Sequence, residues 1–256
     1  MNKNRLGQHF LRDGGVLDKI IKLAGIESEE VVYEVGSGRG DLTERLCKVS
    51  KFVYSSEIDP ELYCYCKEKL HFDNLELLNI DGLHAGLSIN FDLFISNLPY
   101  YESKNALVWL CQKRFRKGLL LVQKEFAEKL MSMPGKKSYR SISVISQYRF
   151  FMTALLTVPC YLFDPPPQVD SVLIEIIPRC PPMSKKTIDD IQFLLSFRKK
   201  NISFVLKYYD KSINDKLCDN GLEIAKIKDM KLGQLTARQI YQLSCFLNKN
   251  RTSIHM

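Results

Sequence analysis

From the N-terminus to about residue 180 the chain alternates two hydrophobic periods. Continuous apolar runs predict buried strands: "VVYEVGS" (31–37), "KFVYSSEID" (51–59), "LELLNID" (75–81), "FDLFISN" (91–97) and "GLLLVQ" (118–123). The stretches between them carry apolar residues at helical spacing. They are "DLTERLCKV" (41–49), "PELYCYCKEKL" (60–70), "SKNALVWLCQKRF" (103–115) and "KEFAEKLMSM" (124–133). Asp41 suits a helix N-terminus, Pro60 suits a first turn, and the last helix stops before Pro134-Gly135. Apolar rather than alternating strands, separated by helices, predict a parallel sheet covered on both faces. "FFMTALLTV" (150–158) and "SVLIEIIP" (171–178), either side of a Pro-rich turn, predict a hairpin that closes this α/β sheet antiparallel. "PRCPPMSKK" (178–186) reads as a linker, and a small, basic, all-α unit follows it. The expected domains are therefore 1–179, including an N-terminal arm at 1–15, and 180–256.

Chemistry gathers where the predicted strands end. "EVGSGRG" (34–40) leaves the first strand with glycines at 36, 38 and 40, which permits a tight turn and close approach of backbone to a ligand. An ordinary strand–helix turn has the same look. Two acids sharpen the reading. Glu57 ends the second strand, where a carboxylate can accept from both ribose hydroxyls of an adenosine, and Asp81 ends the third, where it can accept from an adenine amine. Read alone, each is an ordinary solvated loop acid. The glycine spacing is G-x-G-x-G, not the G-x-G-x-x-G of dinucleotide sites, and Glu34 precedes it inside the strand. Asp41 also stands where a pyrophosphate would need a helix N-terminus. An acid there favours S-adenosylmethionine, which carries a sulfonium and an ammonium and no phosphate.

A fourth strand leaves the sheet through "NLPYYES" (97–103). The lone pair of an exocyclic adenine amine is delocalised into the ring. Two acceptors, the side-chain oxygen of Asn97 and the carbonyl of Leu98, can orient that amine and localise its lone pair. Pro99 fixes φ and offers no N–H, and Tyr100 can stack on a base taken out of its helix or loop. A Pro-Tyr strand exit accounts for Pro99 and Tyr100 individually, but poorly for Asn97 at the end of a buried apolar strand.

Composition narrows the class. The 256 residues are 45% apolar and carry a net charge of +8. From Cys180 onward there are 14 Lys and Arg against 7 Asp and Glu, whereas residues 1–179 are close to neutral. A basic C-terminal segment on a neutral body suits either a polyanion partner such as nucleic acid or a solubilising surface. No apolar run approaches a membrane span, and the first residues contain no apolar signal core. The eight cysteines include no CxxC pair, which predicts reduced cytoplasmic thiols and no metal site.

Taken in order along the chain, "GQHFL" (7–11), "EVGSGRGDLT", "EID" (57–59), "NID" (79–81), "NLPY", "VQKEFAEKL" (122–130), "FDPPPQVDSVLI" (163–174), "SFRKKNI" (196–202) and "LTARQIYQLSCFL" (235–247) resemble the small-subunit ribosomal RNA adenine-N6,N6-dimethyltransferases. The resemblance implies a Rossmann-like class I S-adenosylmethionine-dependent methyltransferase fold. The methyl donor would be S-adenosyl-L-methionine, giving S-adenosyl-L-homocysteine as product. The substrate would be ribosomal RNA or a precursor of the small ribosomal subunit, met by a monomer. It also implies site residues. Gln8, His9, Leu11, Glu34, Gly36, Gly38, Glu57, Ile58, Asp81, Gly82 and Asn97 would lie on the cofactor side. Asn97, Leu98, Pro99 and Tyr100 would face the target amine and base, with Phe163 opposite Tyr100 across that base. Without the resemblance Phe163 is equally a core aromatic at a turn. Arg198, Lys199 and Lys200 would hold RNA phosphates, with "KRFRK" (113–117) a weaker contributor.

Two positions depart from the family pattern. Position 101, usually Asn, Gln or His, is Tyr101. "KSYRSISV" (137–144) has Arg140-Ser141 where the family has Gly-Arg, in a segment expected to be a loop ordered by RNA. The rival functions are a large-subunit rRNA dimethylase of the antibiotic-resistance type, which shares "N-[LI]-P-Y", and a non-catalytic ribosome or transcription factor that kept the fold. "FDPPPQVDS" leans to the small-subunit branch, and Glu57, Asp81 and Asn97 argue against loss of catalysis.

Overall fold

A computed structural model describes residues 8–84, 89–209 and 227–251. These residues form two compact units, one within 1–127 and 150–179, the other within 128–149 and 180–256. Residues 1–7 of the expected arm and 210–226 of the expected helical unit lie outside the described residues.

The first unit begins with β1 (Phe10–Leu11) and α1 (Gly14–Ala24). The pattern reading passed over α1, although its caps are in the sequence: Asp13 accepts from the Val16 N–H, and Gly25 ends the helix in the left-handed conformation. The chain continues through β2 (Val31–Val35), α2 (Asp41–Cys47), β3 (Phe52–Ser56), α3 (Pro60–Lys69), β4 (Leu75–Leu78), β5 (Leu93–Ser96), α4 (Ser103–Leu110), β6 (Lys117–Gln123) and α5 (Lys124–Leu130). After the excursion into the second unit come β7 (Phe150–Val158), β8 (Phe163–Asp164) and β9 (Ser171–Pro178). The expected strands are present, the first four of them shorter at their C-terminal ends, because the polar residues there turn out of the ladder to build loops.

The main sheet has the order β4-β3-β2-β5-β6-β9-β7. Its first five strands are parallel, and β9 inserts antiparallel between β6 and β7. The expected closing hairpin is therefore present, with its second strand on the inside. Both faces are covered. Val32, Val53, Leu93 and Ile95 pack against Leu17 and Ile20 of α1 and Leu42 and Leu46 of α2. On the other face Tyr33, Phe91, Phe94 and Trp109 form an aromatic cluster. The adjacent residues Tyr33 and Glu34 thus leave β2 on opposite faces, as strand geometry requires. A separate two-stranded ribbon pairs β1 with β8, Leu11 lying opposite Phe163.

The second unit contains α6 (Ser141–Arg149), α7 (Lys185–Ser196), α8 (Ile202–Tyr209) and α9 (Ala237–Arg251). Residues 128–149, expected in the first domain, belong here instead. The reason is packing: Tyr139 is buried and its hydroxyl donates to the Leu235 carbonyl at 3.0 Å, and the Tyr148 ring stacks on Tyr241 with centroids 3.8 Å apart. In the "KSYRSISV" segment, residues 137–140 form a loop and Ser141 opens α6, with the Arg140 N–H held by the Ser143 hydroxyl.

Candidate active site

The carboxyl ends of β2, β3, β4 and β5 open into one cavity. In an open α/β sheet this is where ligands bind. The loop after β2 is built by glycine. Gly36 and Gly38 have φ of 85° and 56°, a region that side chains with a Cβ rarely enter. The Gly36 and Ser37 N–H groups both donate to the Ser56 carbonyl, which lashes the loop to β3.

Two acids lie beneath that loop. Glu57, 2% exposed, accepts from the Gly38 N–H at 2.8 Å through one oxygen and from the Asp59 N–H at 3.0 Å through the other. Burial raises its pKa, and the two N–H donors oppose that rise. Glu34, 1% exposed, accepts from Thr43 and Ser55 hydroxyls at 2.6 Å, both through Oε2. Its Oε1 is buried with no partner, although the residue lines the cavity. Burial pushes Glu34 up to about 7; the two hydroxyls oppose this and the neighbouring Glu57 reinforces it. Asp81 stands at the end of the next strand connection, accepting from the Leu83 and His84 N–H groups, with the His84 imidazole 3.0 Å away. Asp41 also lines the cavity, but its charge is met by Lys69 at 2.6 Å.

Across the cavity, Asn97 leaves β5 and donates its amide N–H to the His9 carbonyl at 3.4 Å. Pro99 has φ −51° and ψ 136°, and a short 3-10 turn follows over Tyr100–Glu102. The Tyr100 ring stacks on His9 at 5.4 Å and its hydroxyl bonds to Ser171 at 2.7 Å. His9 in turn is held by the Pro165 carbonyl at 2.7 Å.

The same arrangement of sheet and loops appears in known proteins. A dimethyladenosine transferase from Plasmodium falciparum superposes with a TM-score of 0.80 at 26% identity, covering 96% of this chain and 99% of that one. The 23S rRNA methyltransferase ErmE gives 0.65 at 25% identity over 93% of this chain and 99% of its own. Among curated relatives, the probable ribosomal RNA small subunit methyltransferase A of Methanosarcina acetivorans is 33% identical over 88% of this chain and 80% of its own. Its Streptococcus agalactiae serotype Ia namesake is 34% identical over 91% and 87%. Residues 1–249 match the family described as ribosomal RNA adenine dimethylase. The chain belongs to that family.

In this member of the ribosomal RNA adenine dimethylases all the residues expected on the cofactor side line one cavity: Gln8, His9, Leu11, Glu34, Gly36, Gly38, Glu57, Ile58, Asp81, Gly82 and Asn97. Leu98 and Pro99 join them. Of the target-side residues, Tyr100 stands beside this cavity with its ring stacked on His9. Phe163 is 3% exposed, paired through β8 to Leu11 and part of the apolar core, the alternative reading of this aromatic.

The basic residues also sort themselves. Arg198 Nη1 donates to the Lys137 and Tyr139 carbonyls at 2.8 and 3.1 Å, bracing the second unit, whereas Lys199 and Lys200 are exposed. Of "KRFRK", Arg116 pairs with Glu30, Lys117 with Glu175, and Lys113 lies over the Trp109 ring. Sequence reading missed Phe10 and Arg39, which cap the glycine loop with the guanidinium 4.6 Å over the ring. The apolar step from Phe10 to Leu11 was the available signal.

The Glu34 carboxyl gives a pH test. Its folded pKa, about 7, lies above the ordinary 4.5, so the folded state holds the proton more tightly. The unliganded protein therefore loses stability as pH rises from about 4.5 to 7. Glu34→Gln removes this contribution. Urea unfolding across that window is expected to show a shallower decline for the variant, and parallel curves would contradict the assignment.

Proposed function

We propose that this protein transfers two methyl groups from S-adenosylmethionine to N6 of adenines in small-subunit ribosomal RNA. The observation that carries the reading is the convergence of Glu57, Asp81 and Asn97 at the ends of neighbouring strands around one cavity. The curated relatives named as small subunit methyltransferases favour this branch over the large-subunit one.

The residues fit the methyl donor. The unpartnered Oε1 of Glu34 is a buried acceptor suited to an ammonium. Glu57, fixed by two backbone N–H groups, is set to accept from ribose hydroxyls, and Asp81 from the adenine amine. When bound, S-adenosylmethionine supplies an electrophilic methyl carbon, and its sulfur departs with the C–S electron pair as S-adenosylhomocysteine. Asn97 and the Leu98 carbonyl hold the target amine. Because the Asn97 N–H is engaged by the His9 carbonyl, its Oδ1 is left to accept. The amine nitrogen forms the new C–N bond and releases a proton to water. The second transfer requires the monomethylated amine to rebind beside Leu98, where many DNA adenine methylases carry a proline. Orientation supplies most of the rate, since no side chain becomes covalently attached.

The enzyme on this reading is a cytoplasmic monomer that meets its RNA in a precursor of the small subunit. The described cysteines, all free thiols, suit a reducing compartment. Among the described residues no helix is long and apolar enough to cross a membrane. Lys199 and Lys200 contribute to the phosphate grip.

Asn97→Ala is expected to lower methyl transfer by at least about a hundredfold while subunit binding changes little. Paired activity and subunit co-sedimentation assays test this, and equal loss of both would assign Asn97 a structural role. Replacing Lys199 and Lys200 with Ala together is expected to reduce the slope of log affinity against log salt by about 1.5. An unchanged slope in a filter-binding titration would move the phosphate contacts elsewhere.

A further inference from the structure

The short 3-10 turn after Pro99 sends neighbouring side chains about 120° apart. Tyr100 turns inward onto His9 and Ser171. Tyr101 turns the other way, lines the cavity and remains 60% exposed. An exposed aromatic ring on the wall of a polar-edged cavity is unusual enough to ask what covers it.

The rest of the wall answers. Among the described residues, the large apolar side chains that are both exposed and on the cavity are Tyr101 and Ile58, the latter 53% exposed. Each neighbours an acid. Ile58 follows Glu57 in the chain, and the Asp81 charge reaches the Tyr101 phenol, whose pKa is raised first by burial and then by Glu102 and Asp81. The floor between the acids is closed. A Cβ at Gly82 would strike the Ser56 and Tyr33 hydroxyls, and the Tyr33 hydroxyl donates to the Gly82 carbonyl at 2.8 Å. Apolar surfaces beside two acceptors describe a slot for a flat heterocycle with an edge amine and an attached diol.

We infer that Tyr101 is a cofactor-contact residue, packing its ring on the adenine of S-adenosylmethionine, and not a reader of the target RNA base. The inference rests on the proposed methyltransferase reading and adds a residue to its donor site. The two tyrosines of "YY" then divide the work: Tyr100 packs on His9 and Ser171, and Tyr101 serves the donor.

The test is calorimetric titration of wild type, Tyr101→Ala and Tyr101→Phe with S-adenosylhomocysteine and with 5′-methylthioadenosine, which keeps the adenosine and lacks the amino acid. Tyr101→Ala is expected to weaken both ligands by the same factor, about tenfold, and Tyr101→Phe by less than about twofold. The KM for isolated small subunits is expected to stay within about twofold in both variants, since base stacking is lost only on the donor side. Unchanged ligand affinity in Tyr101→Ala, a loss confined to S-adenosylhomocysteine, or a raised KM for subunits at constant ligand affinity would each overturn the inference. Thermal unfolding of the unliganded variants checks that the exposed site tolerates the changes. A wild type that binds neither ligand would overturn the methyltransferase reading itself, which separates that failure from this one.

Discussion

Two carboxylates buried side by side at the open edge of a parallel sheet set the terms for the rest of the site. Burying Glu34 and Glu57 is costly unless their oxygens find donors. Glu57 finds them in the backbone N–H groups of Gly38 in the glycine loop and of Asp59 after β3, which ties the two turns together. Glu34 finds them on one oxygen only, from a residue of α2 and a residue of β3. The remaining oxygen is an unfilled demand at the cavity wall. A cationic ligand group meets that demand, and a phosphate would make it worse. The preference for a sulfonium-bearing cofactor over a dinucleotide thus has a physical cause in the strand preceding the glycines.

The opposite wall follows from β5. Its apolar residues hold the strand in the sheet between β2 and β6, which brings Asn97 to the same edge as the acids. The N-terminal ribbon then closes over the site. Pairing of Phe10 and Leu11 with β8 places the His9 carbonyl on the Asn97 amide and the His9 ring on Tyr100. Elements far apart in sequence therefore orient the Asn97 amide.

Much of this was legible in the chain because it rests on local patterns. Apolar runs ending in Glu57, Asp81 and Asn97 marked both the strands and the edge they share. Other features depend on long-range packing that periodicity does not carry. Tyr139 lies in a loop, yet it is buried and bonded to Leu235, 96 residues away in sequence. Phe163 looked like a partner for the target base, yet its strand pairing with Leu11 draws it into the core. Arg198 stands among basic neighbours, yet its Nη1 is held by two carbonyls before α6. In each case a residue type with two plausible uses was assigned by a distant partner.

Methyl transfer at the Asn97 edge is the central chemistry of the site. Isolated small and large ribosomal subunits lacking the modification, each incubated with the protein and methyl-labelled S-adenosylmethionine, measure it directly. Digestion of the RNA to nucleosides is predicted to place the label in N6,N6-dimethyladenosine of small-subunit rRNA. Label confined to large-subunit RNA, a product that stops at the monomethyl nucleoside, or no transfer at all would contradict it.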